Sequence, residues 1–89
     1  MMREESVRLG DMAAHLLDNE VVQEVLSTME REYMRAWRET ELNETDERER
    51  LFASVRAIEG FREHLRIFAD NGKFDRAQLE KLRNHRNSE

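Results

Sequence analysis

The sequence predicts an all-α protein, and three observations carry that prediction. Apolar residues recur at alternating steps of three and four along two long stretches, residues 20–40 and 46–71. The chain has no proline and only three glycines, so little interrupts its helix formers. Charged residues make up 39% and hydrophobic ones 38%, too apolar and periodic for a disordered tail but typical of long exposed helices. The architecture that follows is an antiparallel helical hairpin of two long helices with short flanking N- and C-terminal helices, one domain over residues 1–89. Such a chain buries only roughly 60% of its unfolded surface, and two helices give little depth of core. Completion by oligomerisation is therefore expected.

Residues 1–10 read as frayed. Asp11 is the expected cap of a short helix through Met12, Ala13, Leu16 and Leu17, because its carboxylate can accept from free N–H groups of a first turn. Asp18-Asn19 reads as a break, with Asn19 capping the next helix and Glu20 and Glu24 near the positive end of its dipole. On that helix Val22, Leu26, Met29, Tyr33 and Ala36 form a stripe close to a heptad seam, widened by Val25 and Trp37. Gln23, Glu24, Glu30, Arg31, Arg35 and Arg38 form the face assigned to solvent.

Residues 39–45 reverse the chain, with Leu42 expected to plug the hairpin end. Thr45 is the expected next N-cap, with Asn43 competing, since Asp46 and Glu47 follow at once. The third helix carries Leu51, Val55, Ile58, Phe61, Leu65 and Phe68 on one face, with Phe52 and Ile67 at its margins. Gly60 inside it marks either a close helix approach or a tolerated cost of about 1 kcal/mol relative to alanine. Asn71-Gly72 is the expected end, Gly72 supplying a left-handed C′ residue. After a turn at Lys73 and Phe74, Asp75 and Gln78 make a capping-box pattern that opens a short helix with Ala77, Leu79 and Leu82. Residues 84–89 have no apolar anchor and read as frayed.

The chemistry is sparse. Without cysteine there are no disulfides, thiolate nucleophiles or Cys-based zinc sites, which fits a reducing compartment. His15, His64 and His85 lack the spacing of helical metal sites, and no carboxylate falls inside an apolar stripe where its pKa would be raised. The reading is a non-enzymatic protein with no catalytic, cofactor-binding or metal residues. No run approaches the roughly 18 apolar residues of a membrane span, and the start lacks the apolar run of a secretory signal. A cytoplasmic protein without membrane association is expected.

That leaves partners. Tyr33 and Trp37, four apart, would present one aromatic ridge, and with Phe61, Leu65 and Phe68 they are the expected protein interface of a homo-oligomer or of an assembly with another protein. From Lys73 onward five basic residues stand against three acidic ones, net +2, against −7 for the first 72. Lys73, Arg76, Lys81, Arg83 and Arg86 are accordingly the candidates for contact with nucleic-acid phosphates, against the simpler reading of a solvated helix end that complements its own dipole.

Ala13-Ala14-His15-Leu16-Leu17-Asp18-Asn19, Tyr33, Ala36-Trp37-Arg38-Glu39-Thr40, Thr45, Arg48-Glu49 and Asp70-Asn71-Gly72-Lys73 together resemble small helical proteins encoded in the head and DNA-packaging gene clusters of tailed bacteriophages and prophages. The resemblance covers about residues 13–73. It implies a non-enzymatic role in head assembly or genome packaging inside a bacterial host, or a small-terminase-like subunit that binds viral DNA as a ring and engages the motor. The chain departs from the small-terminase pattern in one respect, because residues 1–19 have room for one short helix and not for a separate helix-turn-helix domain. A small regulatory protein that binds a cellular partner through one exposed helix face is the remaining class.

Overall fold

The computed structural model describes residues 2–87, and all regular structure among them is α-helical. Helix α1 spans Arg3–Asp18, α2 spans Glu20–Arg38 and α3 spans Thr45–Asn87. The chain divides into two compact units: one comprises α1 with α3 from His64 onward, the other α2 with α3 up to Glu63.

Only Asn19 separates α1 from α2. Its backbone is extended (φ −73°, ψ 121°) and its Oδ1 accepts from the Val22 N–H at 3.0 Å, the cap expected at that position. Helix α2 ends by tightening. The Glu39 N–H donates to the carbonyls of both Arg35 and Ala36, and the Thr40 N–H to Trp37, a three-residue step that serves otherwise orphaned carbonyls.

The turn that follows closes on itself. The Glu41 N–H donates to the Glu44 carboxylate at 3.1 Å while the Glu44 N–H donates to the Glu41 carbonyl at 3.0 Å. Thr45, the expected cap, is instead the first helical residue of α3, and the Glu44 carbonyl accepts the first helical bond, from Arg48 N–H. The N-cap position thus falls on Glu44, between the two expected candidates Asn43 and Thr45. Leu42 does not plug the end either; it is 84% exposed. A loop of bonds closes that end instead. The Thr40 hydroxyl donates to the Trp37 carbonyl at 2.6 Å, Arg48 donates to the Thr40 hydroxyl at 2.7 Å, and the Arg48 guanidinium lies 4.1 Å from the centre of the Trp37 ring.

Three expectations about the ends and the third helix are corrected. Residues 3–10 are not frayed but form the first half of α1, so Asp11 is an interior residue rather than a cap. Its carboxylate pairs with Arg76. Residues 84–87 belong to α3, while 88 and 89 lie outside the described residues. Lastly, α3 does not end at Asn71-Gly72, nor does a turn at Lys73 and Phe74 precede a separate short helix. It runs 43 residues, about 65 Å, without a break, and no glycine has a positive φ.

The physical reason is a crossing of small residues. Ser6, Gly10 and Ala13 on α1 and Ala69 and Gly72 on α3 are buried. A Cβ on Gly10 would stand 2.7 Å from the Gly72 Cα and 2.8 Å from the Phe68 carbonyl oxygen; one on Gly72 would stand 2.9 Å from the Gly10 Cα. Backbone meets backbone there. The glycines permit close packing of α1 on α3, and that packing orders α1 from its start.

The buried edge of α3 keeps a seven-residue repeat, Leu51, Ile58, Leu65, Gly72 and Leu79, flanked by Val55, Arg62 and Ala69. Phe61 and Phe68 were expected on this edge, yet each stands one residue off it and is exposed, their places taken by Arg62 and Ala69. Arg62 is tolerated because it is paired: its guanidinium binds the half-buried Glu30 and reaches the Ser27 hydroxyl at 3.3 Å. Glu30, read as a solvated residue, therefore belongs to the packed face of α2.

Candidate protein-binding surface

The core is shallow. Ala13, Leu51, Ile58 and Ala69 are the buried apolar residues, and among the described residues no large side chain is fully enclosed. Among the described residues fourteen large apolar side chains remain exposed, Val25, Met29, Met34, Phe52 and Phe61 among those of the α2-containing unit. Met29, Met34, Phe52 and Phe61 line two grooves of that unit.

One groove, of about 350 Å³, is lined by Leu26, Met29 and Tyr33 from α2 and by Ser54, Ala57, Ile58 and Phe61 from α3. No charged side chain lines it. The other, of about 340 Å³, is lined by Met34 and Trp37 from α2 and by Leu51, Phe52, Val55, Arg56 and Glu59 from α3. Its rim carries an Arg56–Glu59 pair at 3.3 Å, and Arg48 covers one end of it through the Trp37 ring. The two sets share no residue. At about 100° per residue, Ser54, Ala57 and Phe61 fall on one side of the Leu51–Ile58 edge of α3, and Phe52, Val55 and Glu59 on the other.

Tyr33 and Trp37 therefore line different grooves rather than one ridge. Of the five residues expected at a protein interface, Tyr33 and Phe61 come together, Trp37 lies in the second groove, and Leu65 and Phe68 belong to the α1-containing unit. Sequence reasoning read Met29 and Phe52 as parts of the apolar stripes rather than as interface residues and did not single out Met34. Two of these are methionines, whose flexible thioether chains suit adaptable contact surfaces.

Lys73, Arg76, Lys81, Arg83 and Arg86 are all exposed on α3 but do not share a face. At 100° per residue they spread over about 220° of the helix circumference. Arg76 is engaged with Asp11, and Glu80 stands with Arg76 and Arg83 around a small surface hollow floored by Val7 and Leu79. The positive field is thus divided and partly answered within the unit. Among the described residues no three of His, Cys, Asp and Glu come near enough to hold a metal ion, and no helix is long and apolar enough to cross a membrane. Comparison with protein-family models, curated proteins and solved structures finds no match to this chain.

Proposed function

We propose that this chain is a non-enzymatic helical assembly module, a hairpin of α2 on α3 flanked by α1 and the C-terminal part of α3, whose exposed apolar flanks are covered by further protein subunits. The observation that carries the reading is exposed apolar surface: Met29, Met34, Phe52 and Phe61 stand exposed along two grooves of the α2-containing unit, and large apolar side chains gathered in this way mark a surface that partners cover. Two grooves of different chemistry give the module two faces, as an adaptor between copies of itself and another component requires. The resemblance over residues 13–73 supports, as the setting for that role, the head assembly or genome packaging of a tailed phage.

The test is the concentration dependence of unfolding. An assembled native state gains stability with concentration by mass action, so the thermal midpoint is expected to rise across a hundredfold increase in protein. A midpoint that stays fixed over that range, with a single cooperative transition, refutes the reading.

A further inference from the structure

We infer that the charge-rimmed groove of the α2–α3 pair, together with the arginine row beside it on α2, receives an acidic amphipathic helix of another protein. The inference rests on the assembly reading and names the chemistry of the partner at this face.

Two features of the α2-containing unit meet at Met34. It lines the groove of Trp37, Leu51 and Phe52, and it also lines an open hollow of about 530 Å³ that runs along α2 from Ser27 to Arg38. Arg31, Arg35 and Arg38 stand around that hollow and, at 100° per residue, fall within about 60° of arc over two turns. Arg48 closes one end of the groove, over the Trp37 ring and against the Thr40 hydroxyl. Arginines thus border an apolar trough along its α2 side and at its end.

The charge balance gives the sign of the occupant. Arg31 is answered by Glu24, Arg56 by Glu59 and Arg62 by Glu30. Glu47 is taken by Arg50, and the Glu44 carboxylate accepts from the Glu41 N–H. Among the described residues no carboxylate pairs with Arg35, Arg38 or Arg48, and Glu32 and Glu39, on the outer side of α2, pair with none of them. Three unanswered guanidinium groups beside one groove, in a chain of net charge −5, are complemented by carboxylates from outside. The dipole of α2 favours cations in its last turn, but it prefers no side of the helix and does not account for Arg48 on α3.

The apolar part gives the form. Met34 and Phe52, 37% and 61% exposed, offer contacts that a phosphate backbone does not use, and a nucleic acid brings far more negative charge against this acidic chain than one helix edge does. Arg31, Arg35 and Arg38 recur at steps of four and three, the period at which a helix laid along α2 presents its own edge. An occupant with an apolar stripe over Met34, Trp37 and Phe52, and Glu or Asp at the same steps over the arginines, meets both requirements. Guanidinium–carboxylate pairing then fixes its register.

The experiment uses the full chain and the emission of Trp37, its only tryptophan. The probes are two synthetic helical peptides of about five turns, free of tryptophan and tyrosine, with the same leucine stripe and either glutamate or lysine along one edge. The glutamate peptide is expected to shift Trp37 emission saturably and to bind more weakly as salt rises, the lysine peptide is expected to give no shift, and Arg35→Glu with Arg38→Glu is expected to weaken glutamate-peptide binding about tenfold or more at unchanged helicity. An equal response to both peptides, a response to neither, or full binding by the double variant overturns the inference. So does a DNA duplex that shifts Trp37 emission where the glutamate peptide does not, which reassigns the arginines to phosphates. A shift on raising the protein concentration without peptide overturns it as well, by giving the face to a second copy. Peptide binding by a chain whose thermal midpoint stays fixed with concentration supports this face and removes the assembly reading, whereas no binding by a chain whose midpoint rises does the reverse.

Discussion

Gly10, Gly60 and Gly72 are all interior to helices, and they are expected to respond to alanine in opposite ways. At Gly60 a Cβ would meet nothing within 4 Å beyond its own stretch of helix, so Gly60→Ala keeps the native geometry and gains the helix preference of alanine, about 1 kcal/mol. Gly10→Ala gains the same preference but places its Cβ 2.7 Å from the Gly72 Cα and 2.8 Å from the Phe68 carbonyl oxygen. Both obstacles are backbone, so relief requires α1 to move away from α3 and to loosen Ser6, Ala13 and Ala69. Overpacking of this kind costs about 1–3 kcal/mol, and the clash with main-chain atoms puts this site in the upper half of that range. The net expectation is a loss of about 1–2 kcal/mol for Gly10→Ala, with Gly72→Ala following the same sign. Urea denaturation at one fixed protein concentration, followed by far-ultraviolet circular dichroism, reads all three. The glycine crossing is refuted if Gly10→Ala and Gly72→Ala stabilise the chain as Gly60→Ala does.

Other perturbations follow from single contacts. Arg62→Ala leaves the half-buried Glu30 without its cation and is expected to cost about 1–3 kcal/mol, while Arg62→Met combined with Glu30→Leu restores most of that loss; urea midpoints compare the two. Arg48→Ala removes the guanidinium from the Trp37 ring and from the Thr40 hydroxyl, with an expected cost of about 1–2 kcal/mol that Arg48→Lys recovers only in part; Trp37 fluorescence follows the transition. Asn19→Ala deletes the cap of α2 and is expected to cost about 1 kcal/mol, and faster amide exchange confined to the first turn of α2 is its local signature. Because the basic residues of α3 are spread around the helix, double-stranded DNA is expected not to be retained at moderate salt. Binding whose logarithm falls steeply and linearly with that of salt concentration would favour a packaging subunit that contacts DNA.

Which parts of this chain are legible in its sequence depends on how local their signals are. The all-helical class follows from periodicity without proline, and Asn19 is readable as a cap because its partner is three residues away. The N-terminal half of α1 was not legible, since Ser6 and Gly10 carry no apolar signal and pack against the backbone at Phe68 and Gly72, some sixty residues on. Gly72 misled for the same reason: beside Asn71 it has the local chemistry of a helix end, and only the tertiary contact makes it a crossing point. On α3 the sequence put Phe61 and Phe68 in the packed edge because they are large and apolar. The observed edge shifts by one residue, since Ala69 admits a near neighbour and Arg62 has Glu30 across from it. That shift turns two phenylalanines outward. It also separates Tyr33 from Trp37 in use, because residues four apart diverge by about 40° around a helix, enough to assign them to different flanks of one seam.

The central claim is that this chain completes its core with other subunits, and light scattering coupled to size exclusion on the wild-type protein over a range of loading concentrations tests it most directly. The account expects a mass of two or more times 10.7 kDa that falls toward one chain only on strong dilution. A well-folded helical protein with the mass of a single chain at every concentration would contradict it.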